Sequence, residues 1–256
     1  EDAHFGAYNM PFMEDGGMGF ARAQDNCVRA VRSFSLGEFS IDEKANLPVN
    51  AKEMPQFIHT VEFNNKKIPV TVYYTHEGDY DDGESYYVIG SLTFEYDGKK
   101  HTIVPPGDMQ SFSIPDNPDN FDRIDVADLN FDNYMDITIF MWSGSGGIWE
   151  YIYIYNPKEK KYYYQEELSS LATVWADAET KTVKSHGKGG HAGWIYYYKE
   201  FKWENGQLTL ICQEDQDYDN DLELYIRVTR TLKNGEWIQQ SGIVGEDGEL
   251  YVIPQD

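Results

Sequence analysis

A chain of 256 residues is long enough to bury a full core as one large β domain or two small ones. Asp and Glu number 44 against 21 Lys and Arg, a formal net charge of −23. That field repels nucleic acid and anionic membrane and steers cationic partners inward, and no apolar run reaches the length of a membrane span.

The aromatic content is high, with 20 Tyr, 13 Phe and 6 Trp, and together with Thr, Val and Ile it favours strands. The numbering begins at Glu1 without Met, which fits a mature form from which a signal peptide or lipoprotein leader has been removed. Cys27 and Cys212 stand far apart. A disulfide in an oxidising compartment and two separate buried thiols both agree with that spacing. No cysteine cluster suggests zinc.

Residues 1–26 are rich in Gly, Met and Asp without a clear period and read as an irregular arm. Cys27 to Phe39 fits a strand or a short helix, and Pro48 and Pro55 punctuate a linker-like stretch. The β signal becomes strong from Phe57. Phe57 to Phe63 alternates, Asn64-Asn65 turns, and Ile68 to Tyr74 returns as a hairpin. After the acidic loop Glu77 to Glu84, Tyr86 to Tyr96 turns through Asp97-Gly98 into Lys100 to Val104. Residues 105–122 form a long connection.

Further strands are expected over Ile137 to Trp142, Ile148 to Tyr155, Lys161 to Gln165, Thr182 to Ser185, Trp194 to Trp203, Gln207 to Gln213, Leu222 to Leu232, Glu236 to Ser241 and Glu249 to Ile253. One or two helical turns are expected over Glu166 to Ala172. The expected fold is therefore all-β: a propeller-like or multi-sheet antiparallel β domain over 56–256 with few short helices, preceded by an irregular segment over 1–55.

One stretch carries chemistry. In Asp128-Leu-Asn-Phe-Asp-Asn-Tyr-Met-Asp136, side-chain oxygens stand at Asp128, Asn130, Asp132 and Asp136, which are positions 1, 3, 5 and 9 of a Ca²⁺ loop. Tyr134, at position 7, would add its backbone carbonyl. A hard cation takes six to eight oxygens, and alternate residues of a tight turn can aim theirs at one point. Position 6 is Asn133, the residue after Gly most tolerant of positive φ. Position 12, a bidentate Glu in a helix-loop-helix site, is Ile139. The expected site therefore feeds a strand and is open, with an affinity on the order of 10⁻⁴–10⁻³ M. The alternative is an acidic turn held by Asx-type hydrogen bonds with no metal. A weaker echo lies at Asp215, Asp217, Asp219, Asn220 and Glu223.

Other candidates are less specific. His186 and His191 sit in the glycine-rich stretch Ser185 to Gly193, which serves equally as a strand connection. Ser145, in Ser143-Gly-Ser-Gly-Gly147, lacks the strand-turn-helix setting of a nucleophile elbow. The carboxylates are too many for sequence to choose a glycosidase pair. Exposed Trp and Tyr could stack on sugars, but cross-strand pairing explains them more simply.

With Val126 to Ile137, the Gly-Gly loop and Trp149 to Pro157, the chain resembles bacterial envelope proteins related to FG-GAP and integrin-type calcium-loop β-propeller repeats. Among these it is most similar to periplasmic immunity proteins that neutralise lysozyme-like effectors. The likeness covers roughly residues 120–215, and Asn133 replaces the family's usual Gly. The resemblance implies bound Ca²⁺ on Asp128, Asn130, Asp132, Tyr134 and Asp136. It also implies export to the periplasm or cell envelope, with a lipid anchor as one form, and inhibition of a peptidoglycan hydrolase. The leading expectation is thus a non-enzymatic protein-binding module with a lysozyme-like partner. A glycan-binding module of an envelope lipoprotein and a carboxylate-dependent hydrolase stand as alternatives.

Overall fold

The computed structural model describes residues 55–81, 83–245 and 247–252, with the backbone alone at 34–35 and 119. The chain divides into two units, Glu1–Arg32 and Ser33–Asp256, and all described residues belong to the second. The expected N-terminal arm and Cys27 lie outside them. After the short strand β1 (Phe34–Ser35), three antiparallel sheets follow one another along the chain. The first holds β2 (Gln56–Phe63), β3 (Lys66–Asp79), β4 (Ser85–Tyr96) and β5 (Lys99–Ile103). The second holds β6 (Ile124–Ala127), β7 (Asp136–Gly144), β8 (Gly147–Asn156) and β9 (Lys161–Tyr164). A one-turn helix, α1 (Glu166–Ser169), leads into the third sheet.

That third sheet holds β10 (Val174–Asp177), β11 (Thr182–Lys188), β12 (Tyr196–Glu204), β13 (Gln207–Asp219), β14 (Leu224–Lys233), β15 (Glu236–Val244) and β16 (Leu250–Val252). β1 joins it at the start of β13, pairing Phe34 with Leu208. In the first two sheets, and from β10 to β16 in the third, the spatial order follows the chain order as a meander, and the all-β, multi-sheet antiparallel expectation holds.

Four two-residue turns set the registers. Asn64-Asn65, Asp97-Gly98, Asn205-Gly206 and Asn234-Gly235 all have positive φ at both positions. This is the geometry whose twist matches paired strands. The residues flanking each turn pair directly: Phe63 with Lys66, Tyr96 with Lys99, Glu204 with Gln207, and Lys233 with Glu236. Several strands run past their expected ends. β3 continues through the acidic stretch to Asp79 by means of bulges, and there Gly78 lies against the Tyr86 ring. A Cβ at residue 78 would fall 2.4 Å from the Tyr86 hydroxyl.

The second sheet lies between two cores. On β8 the alternation of Tyr and Ile sends Tyr151, Tyr153 and Tyr155 into one core and Ile152 and Ile154 into the other. The first core packs these tyrosines, with Ile137 and Ile139, against Val70, Leu92, Phe94 and Ile103 of the first sheet. The second packs the two isoleucines and Leu168 against Val183, Phe201 and Leu208 of the third. Each fully buried Ile or Leu contributes about 1.5–3 kcal/mol by leaving water. The long connection 105–122 adds Phe112 and Phe121 to the first core.

At the edge of the third sheet the Lys184 ammonium lies 2.5 Å from the Asp177 carboxylate and 4.0 Å from that of Glu200. The Lys184 hydrogen bond holds the Asp177 carboxyl well below the usual range. A folded-state pKa below the unfolded one stabilises at pH values above the unfolded value, near 4, and the gain is lost as pH falls through the folded value. Lys184→Met is therefore expected to lower the urea midpoint at pH 6–7, and the gap to the parent chain should narrow towards pH 2. Urea titrations across that range measure it, and a constant gap would assign the effect to packing.

Candidate functional site

The acidic stretch forms the loop of the β6–β7 hairpin, with Ala127 pairing Asp136 across its base. Strand β7 begins at Asp136, and Ile139 is fully buried in the first core, so this is a loop-to-strand element. Asn133 has φ 66°, the positive value its position requires, and Phe131 has φ 62°.

The loop's hydrogen bonds form an Asx network. The two Asp128 oxygens accept the N–H groups of Asp132 (2.9 Å) and Asn133 (3.0 Å). Asn130 Oδ1 accepts the Asp132 N–H at 3.2 Å, and its amide donates to Asp132 Oδ2 at 3.1 Å. Asp132 Oδ1 accepts the Tyr134 N–H at 2.9 Å. Asp136 has no exposed surface, and its oxygens take N–H groups from two distant backbones: Leu129 at 2.8 Å and Tyr155 at 2.8 Å.

The loop also seals the seam between the cores. Leu129 and Phe131 face the second core, whereas Tyr134 and Met135 face the first. Trp203 Nε1 donates to the Leu129 carbonyl at 2.9 Å, and the Met135 N–H donates to the Tyr96 hydroxyl at 2.9 Å.

Charge accumulates here. Burial pushes the Asp132 carboxyl up, and the Asp128 charge adds to it. Burial pushes Asp136 up further, against the N–H bonds of Tyr155 and Leu129, and the charges of Asp132 and Asp128 act in the same raising direction. No Lys or Arg pairs with any of the three among the described residues.

The donor set is right for a hard cation: three carboxylates and an amide oxygen on one turn. The side chains alone do not close a cage. Among the described residues no three His, Cys, Asp or Glu groups gather closely enough to grip an ion by themselves. Asn130, the Tyr134 carbonyl and water would have to complete the shell. Asp136 stands apart from the other three as the loop's inward clasp.

The second acidic echo is corrected by the structure. Asp215, Asp217 and Asp219 lie within strand β13, and Asp219 pairs with Leu224 across a short turn. Strand residues advance about 3.3 Å each, so the outer two are about 13 Å apart and cannot converge on one ion.

The two glycine-rich loops were separate candidates in sequence, and the fold joins them. Ser145-Gly146 forms the β7–β8 turn, a hairpin rather than a nucleophile elbow. The Lys188 N–H donates to the Gly146 carbonyl at 2.8 Å, and the Thr173 N–H to the Ile148 carbonyl at 2.6 Å. Gly147, at φ 142°, meets Thr173 and Ala172 so closely that a Cβ there would lie 2.7 Å from the Thr173 hydroxyl. Trp142 and Trp149 stack face to face beneath this rim, 3.8 Å between centroids.

His186 and His191 have different neighbours: the first faces Tyr196, and the second lies 2.9 Å from the Tyr225 hydroxyl. Cys212 lies beside Thr231 on the third sheet.

No family model matches the chain, and no curated protein does. A solved structure described as that of a Xanthomonas type IV secretion system related protein is similar in fold. Its TM-score is 0.50 at 17 % identity, over 73 % of this chain and 93 % of that one. At this identity the likeness is one of fold.

Asp136→Ala leaves two buried N–H groups without acceptors, each costing about 1–3 kcal/mol. Urea unfolding in the presence of chelator is expected to show a loss of about 2–6 kcal/mol. A loss within about 0.5 kcal/mol, the range of ordinary surface changes, would mean that water replaces the carboxylate.

Proposed function

We propose that this chain is an exported, calcium-binding β protein of the bacterial envelope that acts without catalysis, by holding a partner protein, and that the partner is a peptidoglycan hydrolase. The observation that carries the calcium reading is the loop itself. Asp128, Asp132 and Asp136 share one turn, burial and the neighbouring carboxylates push Asp132 and Asp136 up, and none of the three forms a salt bridge among the described residues. Asp128, Asn130, Asp132 and Asp136 would hold the ion with the Tyr134 carbonyl. The ion would neutralise the cluster and stiffen the entry to β7.

Envelope location and partner binding draw on several supports. The Xanthomonas neighbour's description places that protein with a secretion system, and the first two sheets are four-stranded meanders of the kind that propeller blades use. The net charge of −23 suits a basic partner, whose approach it would accelerate. The joined rim of Ser145-Gly146 and Lys188 supplies a projecting edge for a cleft, with Ile148 exposed at its base.

Two measurements test this reading. Thermal melts in millimolar CaCl₂ and in EDTA should differ by about 1–5 °C for the parent chain, as expected for weak linkage. Asp132→Ala should abolish the difference, in addition to a loss in EDTA from its bonds to the Tyr134 N–H and the Asn130 amide. Equal losses in both media would remove calcium from the reading. Separately, the protein should inhibit lysis of peptidoglycan by a basic lysozyme, and shortening the 143–147 or 186–190 loop should abolish inhibition. Inhibition that survives both deletions would remove the rim from the mechanism.

A further inference from the structure

The far half of the third sheet projects beyond both cores, and one of its faces is bare among the described residues. Strands β14 and β15 touch chiefly their neighbours within the sheet. Cross-strand partners share a face, so Asp215, Asp217 and Asp219 of β13 stand beside Val228, Ile226 and Leu224 of β14. Ile226 continues to Ile243 of β15, and Ile243 to Tyr251 of β16.

The opposite face is covered at its tip, where His191 and Trp194 pack on Tyr225. The Asp face has no such cover among the described residues. Leu224 and Tyr251 are 37 % and 58 % exposed, while Ile226 and Ile243 are half-buried. None of Asp215, Asp217 and Asp219 forms an ion pair among the described residues. Their carboxylates accept only from Gln213 and from nearby backbone N–H groups.

We infer that this face is the docking surface for a cationic protein, one that presents lysines or arginines beside an apolar stripe. The inference rests on the reading above that the chain acts by binding a protein, and it adds a second contact surface to the glycine-rich rim proposed there. Charge decides the occupant. Three carboxylates about 7 Å apart in a line repel a second copy of the same row, and the whole-chain charge repels nucleic acid and anionic lipid. The adjoining row of Leu224, Ile226 and Ile243 offers the apolar contact from which a basic partner gains its durable binding, while the aspartates guide approach and fix register.

The test compares the full chain with two charge-matched triples. The face variant is Asp215→Asn, Asp217→Asn and Asp219→Asn, and the control is Glu62→Gln, Asp81→Asn and Glu179→Gln at exposed positions elsewhere. Binding to a basic lysozyme is measured by calorimetry at two salt concentrations, with Leu224→Ser and Tyr251→Ser as the apolar arm. The face variant is expected to bind at least tenfold more weakly than the control, with a flatter salt dependence. Each apolar change should raise the dissociation constant at least threefold.

Equal losses in the two triples would reduce the effect to overall charge and overturn the inference. Parent-strength binding by the face variant would overturn it while leaving the hydrolase reading intact. No binding by the parent chain would overturn both. A fall of several degrees in the melting temperature of the isolated face variant, absent from the control, would show that the chain covers this face itself and would equally overturn the inference.

Discussion

The buried Asp136 carboxylate is the contact that fixes the acidic hairpin loop across the seam between the two cores. It has no exposed surface, yet it accepts N–H groups from the head of its own loop and from the middle sheet's central strand. A buried carboxylate is costly unless its oxygens are satisfied. Here both are satisfied, by Leu129 and Tyr155, whose side chains belong to different cores. The bond pair thus fixes where the hairpin loop crosses the seam. Without it the loop would have no reason to send Leu129 one way and Met135 the other.

Strand β8 makes that seam necessary. Five consecutive residues, Tyr151 to Tyr155, are buried on alternate faces, so the middle sheet needs a covering layer on each side. The first sheet covers the tyrosines and the third covers the isoleucines. Tyr151 and Tyr153 point their hydroxyls at backbone carbonyls of Asp108 and Val104, which ties the long connection to the core without leaving the polar atoms alone. Aromatic density that sequence offers as a sugar platform is thus largely interior. The exposed aromatics Tyr80, Trp175, Trp194 and Tyr251 lie on separate parts of the chain.

What sequence revealed was what local chemistry determines. Asn-Gly, Asp-Gly and Asn-Asn pairs require positive φ and fixed four hairpins with correct registers. Asn133 took the conformation its loop position demands. Strands β6 and β10, four residues each, escaped because Ile-Asp-Val-Ala and Val-Trp-Ala-Asp are too short to show a period. The echo at Asp215 failed for a related reason. Its spacing matches that of Asp128 to Asp132, but continuous pairing with β14 holds it extended. The joining of the two glycine-rich loops was invisible because it is made by backbone atoms 42 residues apart, at Gly146 and Lys188, and backbone contacts carry no residue code.

The same network limits what a metal ion can do. Asp128, Asn130, Asp132 and Asp136 already hold the loop's backbone N–H groups, so the turn is closed before any cation arrives. An ion entering this loop would relieve repulsion among carboxylates rather than fold the segment. At millimolar Ca²⁺ and a dissociation constant of about 10⁻⁴–10⁻³ M, linkage adds only about 0.4–1.4 kcal/mol. That is less than the about 2–6 kcal/mol expected from leaving the two Asp136 N–H partners unpaired. On this comparison the loop owes its closure to Asp136 more than to an ion. Of the groups that would hold an ion, Asp136 is buried, whereas Asp128, Asn130 and Asp132 are only half-buried, and there a change in charge can be felt at the surface.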